Sequence, residues 1–400
     1  MSAVLAPVPS DGIQARAPTL SAPPLAHPRR QRLAGLDGLR GLAALYVVVN
    51  HIFLRAFPGY PVDHAPFWAA WFIYGRFAVV VFIVLSGFSL ALSPARHGWR
   101  LDAVSRFAKR RGRRILPAYW AALLFSLAVA WLIVPQPGNG LPDANSVVVN
   151  GLLVQNLVRT HSPNAAFWSM AVEAQLYLLF PLLLLIVRRR GAIIMVAAVT
   201  LVVVAVGVIG PHVAGLDTFV IHSPPDLAAL FAVGMLTAGI VGAGRARRSW
   251  PWGWLALASV APVLVTIWVE GSVWTLDHLL WVDLALGPAI ACLLAALATD
   301  RLVPLMRLLD TRPIRKLGLC SYSLYLTHAP IVVVVYEKIV AGRVAQGVPA
   351  FLVTLALALP LTIVFARLFA AVFEIPFLKK QQTWSQTASV PRPRAEGVGG

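Results

Sequence analysis

The stretch LDGLRGLAALYVVVNHIF, residues 36–53, sets a cation at the edge of an apolar run and an imidazole deep inside it. Arg40 and His51 lie eleven positions apart. At about 100° per residue that separation returns a helix to within about 20° of its starting direction, so the two side chains share a face. At about 1.5 Å per residue they are roughly 16 Å apart along the axis, about half of a ~30 Å hydrocarbon core. A titratable group at that depth is costly unless paired. His51 is therefore either a functional group or one that satisfies a polar group of a neighbouring helix.

The rest of the chain fits a membrane setting. Its 400 residues are 58% hydrophobic and 12% charged, with mean hydropathy +0.75, which excludes an ordinary soluble globule. The fold expected is all-α and polytopic. Ten spans are read near 39–57, 71–93, 115–134, 167–187, 192–210, 224–242, 253–270, 279–298, 318–340 and 349–373, with both termini cytoplasmic. They form one membrane domain, 36–380, between two disordered cytoplasmic tails, 1–35 and 381–400. The net charge of +18 suggests nucleic acid until the basic residues are located. Only Arg55, Arg159 and Arg343 are expected on the outer side, and Arg40, Arg76, Lys338 and Arg367 lie within spans; the rest of the 34 fall inside. That asymmetry is the positive-inside pattern, and no nucleic-acid partner is needed. Cys292 and Cys320 have neither CxxC spacing nor paired histidines, so no disulfide framework and no metal site are expected.

Four further places carry chemistry. Ser86 and Gly87 are read near the cytoplasmic end of the second span, where small residues admit a close helix or a ligand. In the most basic loop, Arg111 and Arg114 are three apart and share a helix face on the same side as Arg40. Together the three form a candidate polyphosphate clamp; the bland alternative is a solvated cluster that binds lipid headgroups. Trp168 marks the outer interface, and Glu173 is expected about 7 Å below it, with Gln175 and Tyr177 close by. A second deep histidine, His328, follows Tyr325 by three residues at nearly the depth of His51. Asp226 and Asp283 read as solvated near the outer boundary, and Glu374 as a partner for a nearby basic group.

With these residues placed, the chain resembles the acyltransferase-3 family of bacterial membrane O-acyltransferases over about residues 33–380. Five segments carry the likeness: Arg40 with His51, VFIVLSGF with Ser86, the Arg111/Arg114 pair before Ile115 and Pro117, WSMAVEAQLYL with Glu173, and SYSLYLTHAP with His328. The chain departs from the family at Ala174, where a second acidic residue is usual, and at Asp226, where an arginine is common. Many members also carry an appended esterase-like domain, so the chain is similar to the stand-alone branch.

The resemblance implies an enzyme of the bacterial inner membrane. It would move an acyl group, most often acetyl from acetyl-CoA, to a hydroxyl of a carbohydrate, envelope glycan or glycosylated metabolite such as a macrolide. On that basis Arg40, Arg111 and Arg114, with Ser86, are expected to bind the donor. His51 acts as proton acceptor or becomes transiently acylated, and Glu173 and His328 orient the acceptor or the imidazole. The competing class is a transporter or lipid flippase in which His51, Glu173 and His328 form a translocation relay.

Overall fold

A computed structural model of the chain describes residues 35–62, 64–101, 103–158, 160–213, 224–243 and 249–377. The expected tails, the final residues of the membrane domain and Arg159 lie outside these residues. All described residues fall in one compact unit, Ala34–Gly400. They are helical without a strand among them.

Among the described residues, nine helices are long and apolar enough to cross a bilayer. They begin with α1, Leu36–Ala56. The tenth expected span is a shorter apolar helix, Asp226–Gly242, whose 17 residues are at the lower limit for crossing. The second span starts later than its hydropathy suggests. Phe67–Ala70 (α2) and a 3₁₀ turn, Trp71–Tyr74, precede α3, Arg76–Arg96. The third starts earlier, because α4 runs unbroken from Val104 to Leu132 and takes in the basic segment before the apolar one. Arg111 and Arg114 thus stand on a rigid helix and not in a loop.

The short α5, Ala144–Gly151, is capped by Asp143, whose carboxylate accepts from the Ser146 amide at 2.8 Å and its hydroxyl at 2.6 Å. Those two bonds hold the Asp143 carboxyl below its ordinary range. Then follow α6 (Phe167–Arg190), α7 (Ala192–Ile209), α8 (Asp226–Gly242), α9 (Trp252–Asp277) and α10 (Leu279–Ala298). The short α11 (Val303–Leu309) and α12 (Arg312–Leu319) lead into α13 (Ser321–Val335) and α14 (Val348–Phe373).

Lipid is as apolar as leucine, so close backbone approach and polar contacts have to hold such helices together. The tightest crossing is α3 on α8. A Cβ on Gly87 would sit 2.1 Å from the Phe231 carbonyl oxygen, and one on Gly234 equally close to that of Val84. Any larger residue at either position would force the pair apart and shift the neighbouring Ser86. The Arg40 end of α1 is pinned in the same way, since a Cβ on Gly318 of α12 would meet the Asp37 carbonyl oxygen at 2.0 Å. Long aliphatic side chains such as Ile193, Leu201, Leu178 and Leu368 point outward, the arrangement a lipid environment requires. Cys292 is half-buried and Cys320 buried, both free thiols.

Candidate active site

Two polar tiers occupy the space between α1, α3, α4, α6 and α13. The first is basic and carboxylate-bearing. From α1, Arg40 reaches α3 and donates to Ser89 Oγ at 2.9 Å, with Asp37 3.4 Å from its other terminal nitrogen. One turn along the same face of α3, Ser86 donates to Glu173 Oε1 of α6 at 2.9 Å. The Tyr177 hydroxyl donates to the same oxygen, and the two hydroxyl oxygens are 3.0 Å apart. Across from them, the Arg111 guanidinium stands 5.8 Å from the Tyr177 ring centre and 5.9 Å from that of Phe107. Arg40, Arg111 and Arg114 lie within electrostatic range of one another, and Arg40 and Arg111 within range of Glu173. Three arginines held so near one another repel unless an anion joins them, and the two carboxylates beside them, Asp37 and Glu173, leave one charge unbalanced.

The second tier is the histidine pair. The rings of His51 and His328 meet edge to face, 4.8 Å between centroids. His328 is fully buried. Its Nδ1 lies 2.8 Å from the Tyr325 carbonyl oxygen and 3.2 Å from that of Leu324. A carbonyl only accepts, so Nδ1 carries the hydrogen, and in the neutral ring Nε2 is a bare acceptor. That Nε2 is buried without a hydrogen-bond partner. His51 is half-buried, and neither of its ring nitrogens is hydrogen-bonded to a described residue. Tyr325 completes the tier, its ring 5.8 Å from His328 and its hydroxyl 2.6 Å from Ser169 Oγ.

Helix geometry links the tiers. Ser169 and Glu173 are four apart on α6 and share a face. Phe82, one turn from Ser86, meets the Tyr325 ring at 5.7 Å. Arg40, Arg111, Glu173, Tyr177 and His51 all retain partial exposure inside the helix bundle, and Arg114 is exposed.

Several expectations need correction. Ser86 is at the middle of α3, not near its end, and it receives Glu173 there. Gln175 turns away from Glu173 and exchanges hydrogen bonds with Asn156 at 2.7 and 3.0 Å. Two residues of separation on a helix put side chains on different faces. Glu374 accepts from the hydroxyl and amide of Ser323, at 2.6 and 3.3 Å, instead of closing an ion pair.

Asp226 and Asp283 are not solvated. They are 2% and 0% exposed, and both bind Arg76, at 2.9 and 2.5 Å, while Trp168 covers the guanidinium at 5.6 Å. The signal was present in the sequence, because an arginine inside a span needs an internal counter-charge. Ser89 was also passed over, although its three-residue offset from Ser86 puts it on the same face.

Residues 33–367 match the family model described as an acyltransferase domain, acyltransferase 3. Among curated proteins, acyltransferase MdmB of Streptomyces mycarofaciens is 33% identical over 166 residues, 39% of this chain and 40% of that one. O-acetyltransferase OatA of Staphylococcus aureus is 24% identical over 341 residues, 78% of this chain and 52% of that one. The chain therefore spans about half or less of the curated relatives it matches. No solved structure matches it.

Proposed function

Because the chain belongs to the acyltransferase-3 family, we propose that it is a membrane O-acyltransferase that moves an acyl group from acyl-CoA to a hydroxyl of a carbohydrate or glycosylated acceptor. The observation that carries the proposal is the pairing of an arginine cluster with an accessible imidazole on one face of α1. A pantetheine arm of roughly a dozen bonds spans on the order of 15 Å. That length suits the roughly 16 Å of helix between Arg40 and His51. With its phosphates on Arg40, Arg111 and Arg114, the donor would bring its thioester to the histidine tier.

There the chemistry balances with one base. The acceptor oxygen attacks the thioester carbonyl carbon while His51 takes the hydroxyl proton. The carbon–sulfur bond then breaks, and the imidazolium returns that proton to the leaving thiolate. General base catalysis of this kind contributes about 10² to 10⁴ in rate. His328, its ring edge to face with that of His51 at 4.8 Å, orients the imidazole. Glu173, held by Ser86 and Tyr177, has Oε2 free of described partners to orient either substrate. The two curated relatives carry acyltransferase and O-acetyltransferase names, which favours acetyl as the group moved and speaks against the transport pathway. Ester-forming transfer to a glycan, glycolipid or glycosylated metabolite at the bacterial inner membrane fits the same site.

The test compares cell envelope and secreted metabolites from strains with and without the gene by mass spectrometry. An acyl mass increment on a hydroxylated compound, dependent on the gene, is expected. Identical profiles, with purified protein that neither binds nor cleaves acyl-CoA, would overturn the proposal.

A further inference from the structure

The seam between α4 and α6 continues past the arginine cluster into a groove that the acyl-transfer reading leaves unassigned. The two helices run antiparallel in register. Arg111 faces Tyr177, Phe107 stacks on Phe180 at 5.2 Å, and a turn further on Val104 and Leu184 line one depression of about 370 Å³. Trp99, Pro181, Arg100 and Arg188 complete its walls. Val104 is seven residues from Arg111, so the groove opens about 10 Å from the cluster.

Three features give it a chemical character. Trp99 is held in a left-handed backbone conformation, φ 59°, which a tryptophan adopts only at a cost. Its ring lies against α8, where a Cβ on Gly239 would come within 2.8 Å of Trp99 Cζ2. An indole fixed in this way is a stacking surface. Arg100 and Arg188 stand exposed at the rim, and no carboxylate among the described residues pairs with either.

Charge arithmetic then identifies the occupant. Arg40, Arg111 and Arg114 set against Asp37 and Glu173 leave about one positive charge, which the diphosphate of CoA more than takes up, so none is left for its 3′-phosphate. A phosphomonoester adds about −1.5 to −2, which Arg100 and Arg188 match.

We propose that the Trp99–Arg100–Arg188 groove binds the 3′-phosphoadenosine end of the CoA donor, with the base against the indole and the 3′-phosphate between the two guanidiniums. This rests on the acyl-CoA reading. The alternative occupant, an anionic phospholipid headgroup, shares the phosphate but has no purine and no link to the arginine cluster.

The test measures binding of CoA, dephospho-CoA and pantetheine to the full-length protein in phosphatidylcholine nanodiscs by calorimetry. Wild type is expected to prefer CoA over dephospho-CoA by about 10-fold or more, the effect of charge-assisted bonds at an accessible site. In the double variant Arg100→Ala/Arg188→Ala that preference disappears while dephospho-CoA affinity is unchanged, which also reports an intact fold. Arg188→Lys retains part of it. Equal affinity of wild type for the two nucleotides overturns the groove assignment and leaves the donor reading standing. So does a loss in the double variant that is the same for both, or that arises only when phosphatidylglycerol is present. Failure of wild type to bind CoA at all overturns the donor reading, and the groove with it.

Discussion

His51 on α1 and His328 on α13 meet edge to face at 4.8 Å, and only one of them is sealed from solvent. Tyr325 and Leu324 fix the tautomer of His328 through its Nδ1, whereas the nitrogens of His51 carry no such tether. The pair thus divides into an anchored ring and an available one. In the proposed reaction the available ring is the base and the anchored ring positions it. Replacing His328 with Gln, which retains an acceptor, is expected to lower kcat by about 10-fold, well short of the loss from His51→Ala. Steady-state kinetics on matched protein amounts checks the order. An equal loss in both variants would make the two rings equivalent.

Glu173 accepts two hydroxyls on one oxygen, so its substitutions separate charge from hydrogen bonding. Glu173→Gln retains an acceptor for Ser86 and Tyr177 and is expected to preserve Tm while reducing kcat. Glu173→Ala removes the common partner of one buried and one half-buried hydroxyl and is expected to lower Tm as well, by an amount corresponding to about 1–3 kcal/mol. Thermal unfolding in detergent beside kinetics resolves the two effects.

Arg111 faces the rings of Tyr177 and Phe107, and no carboxylate among the described residues is within hydrogen-bonding distance of it. Arg111→Ala is expected to raise the acyl-CoA KM about 10-fold with a smaller change in kcat, and Arg111→Lys to fall between. A drop in the amount of membrane-inserted protein with an unchanged KM would assign Arg111 to topology instead.

The Arg76 cluster sets two buried carboxylates against one guanidinium, leaving it net negative. Arg76→Ala leaves both carboxylates without a counter-charge and is expected to destabilise by about 3–5 kcal/mol. Asp226→Asn evens the charge and retains an acceptor, so Tm should hold or rise. Thermal stability of the two purified variants distinguishes this from a cluster whose second carboxylate is indispensable.

Much of this was legible before any coordinates. Hydropathy located nearly every crossing because spanning helices need long apolar runs, and the eleven-residue spacing put Arg40 and His51 on one face. The equal depths of His51 and His328 anticipated their meeting. Depth along one helix does not reveal which neighbour is alongside, so Ser86 was placed nearer a helix end than it is and its bond to Glu173 was not foreseen. The carboxylates at 226 and 283 looked solvated because each is close to a helix end, and only the fold brings Arg76 between them. Helix continuity through the basic segment of α4 was hidden as well, since charge interrupts a hydropathy window without interrupting a helix.

The account depends most on the accessible ring of His51. The decisive measurement is acyl transfer from acyl-CoA, to the acceptor identified by mass spectrometry, in membranes carrying equal amounts of wild type and His51→Ala, with CoA affinity determined in parallel. The account predicts a loss of about 10² to 10⁴ in kcat with CoA affinity unchanged. Transfer by His51→Ala at the wild-type rate would contradict it.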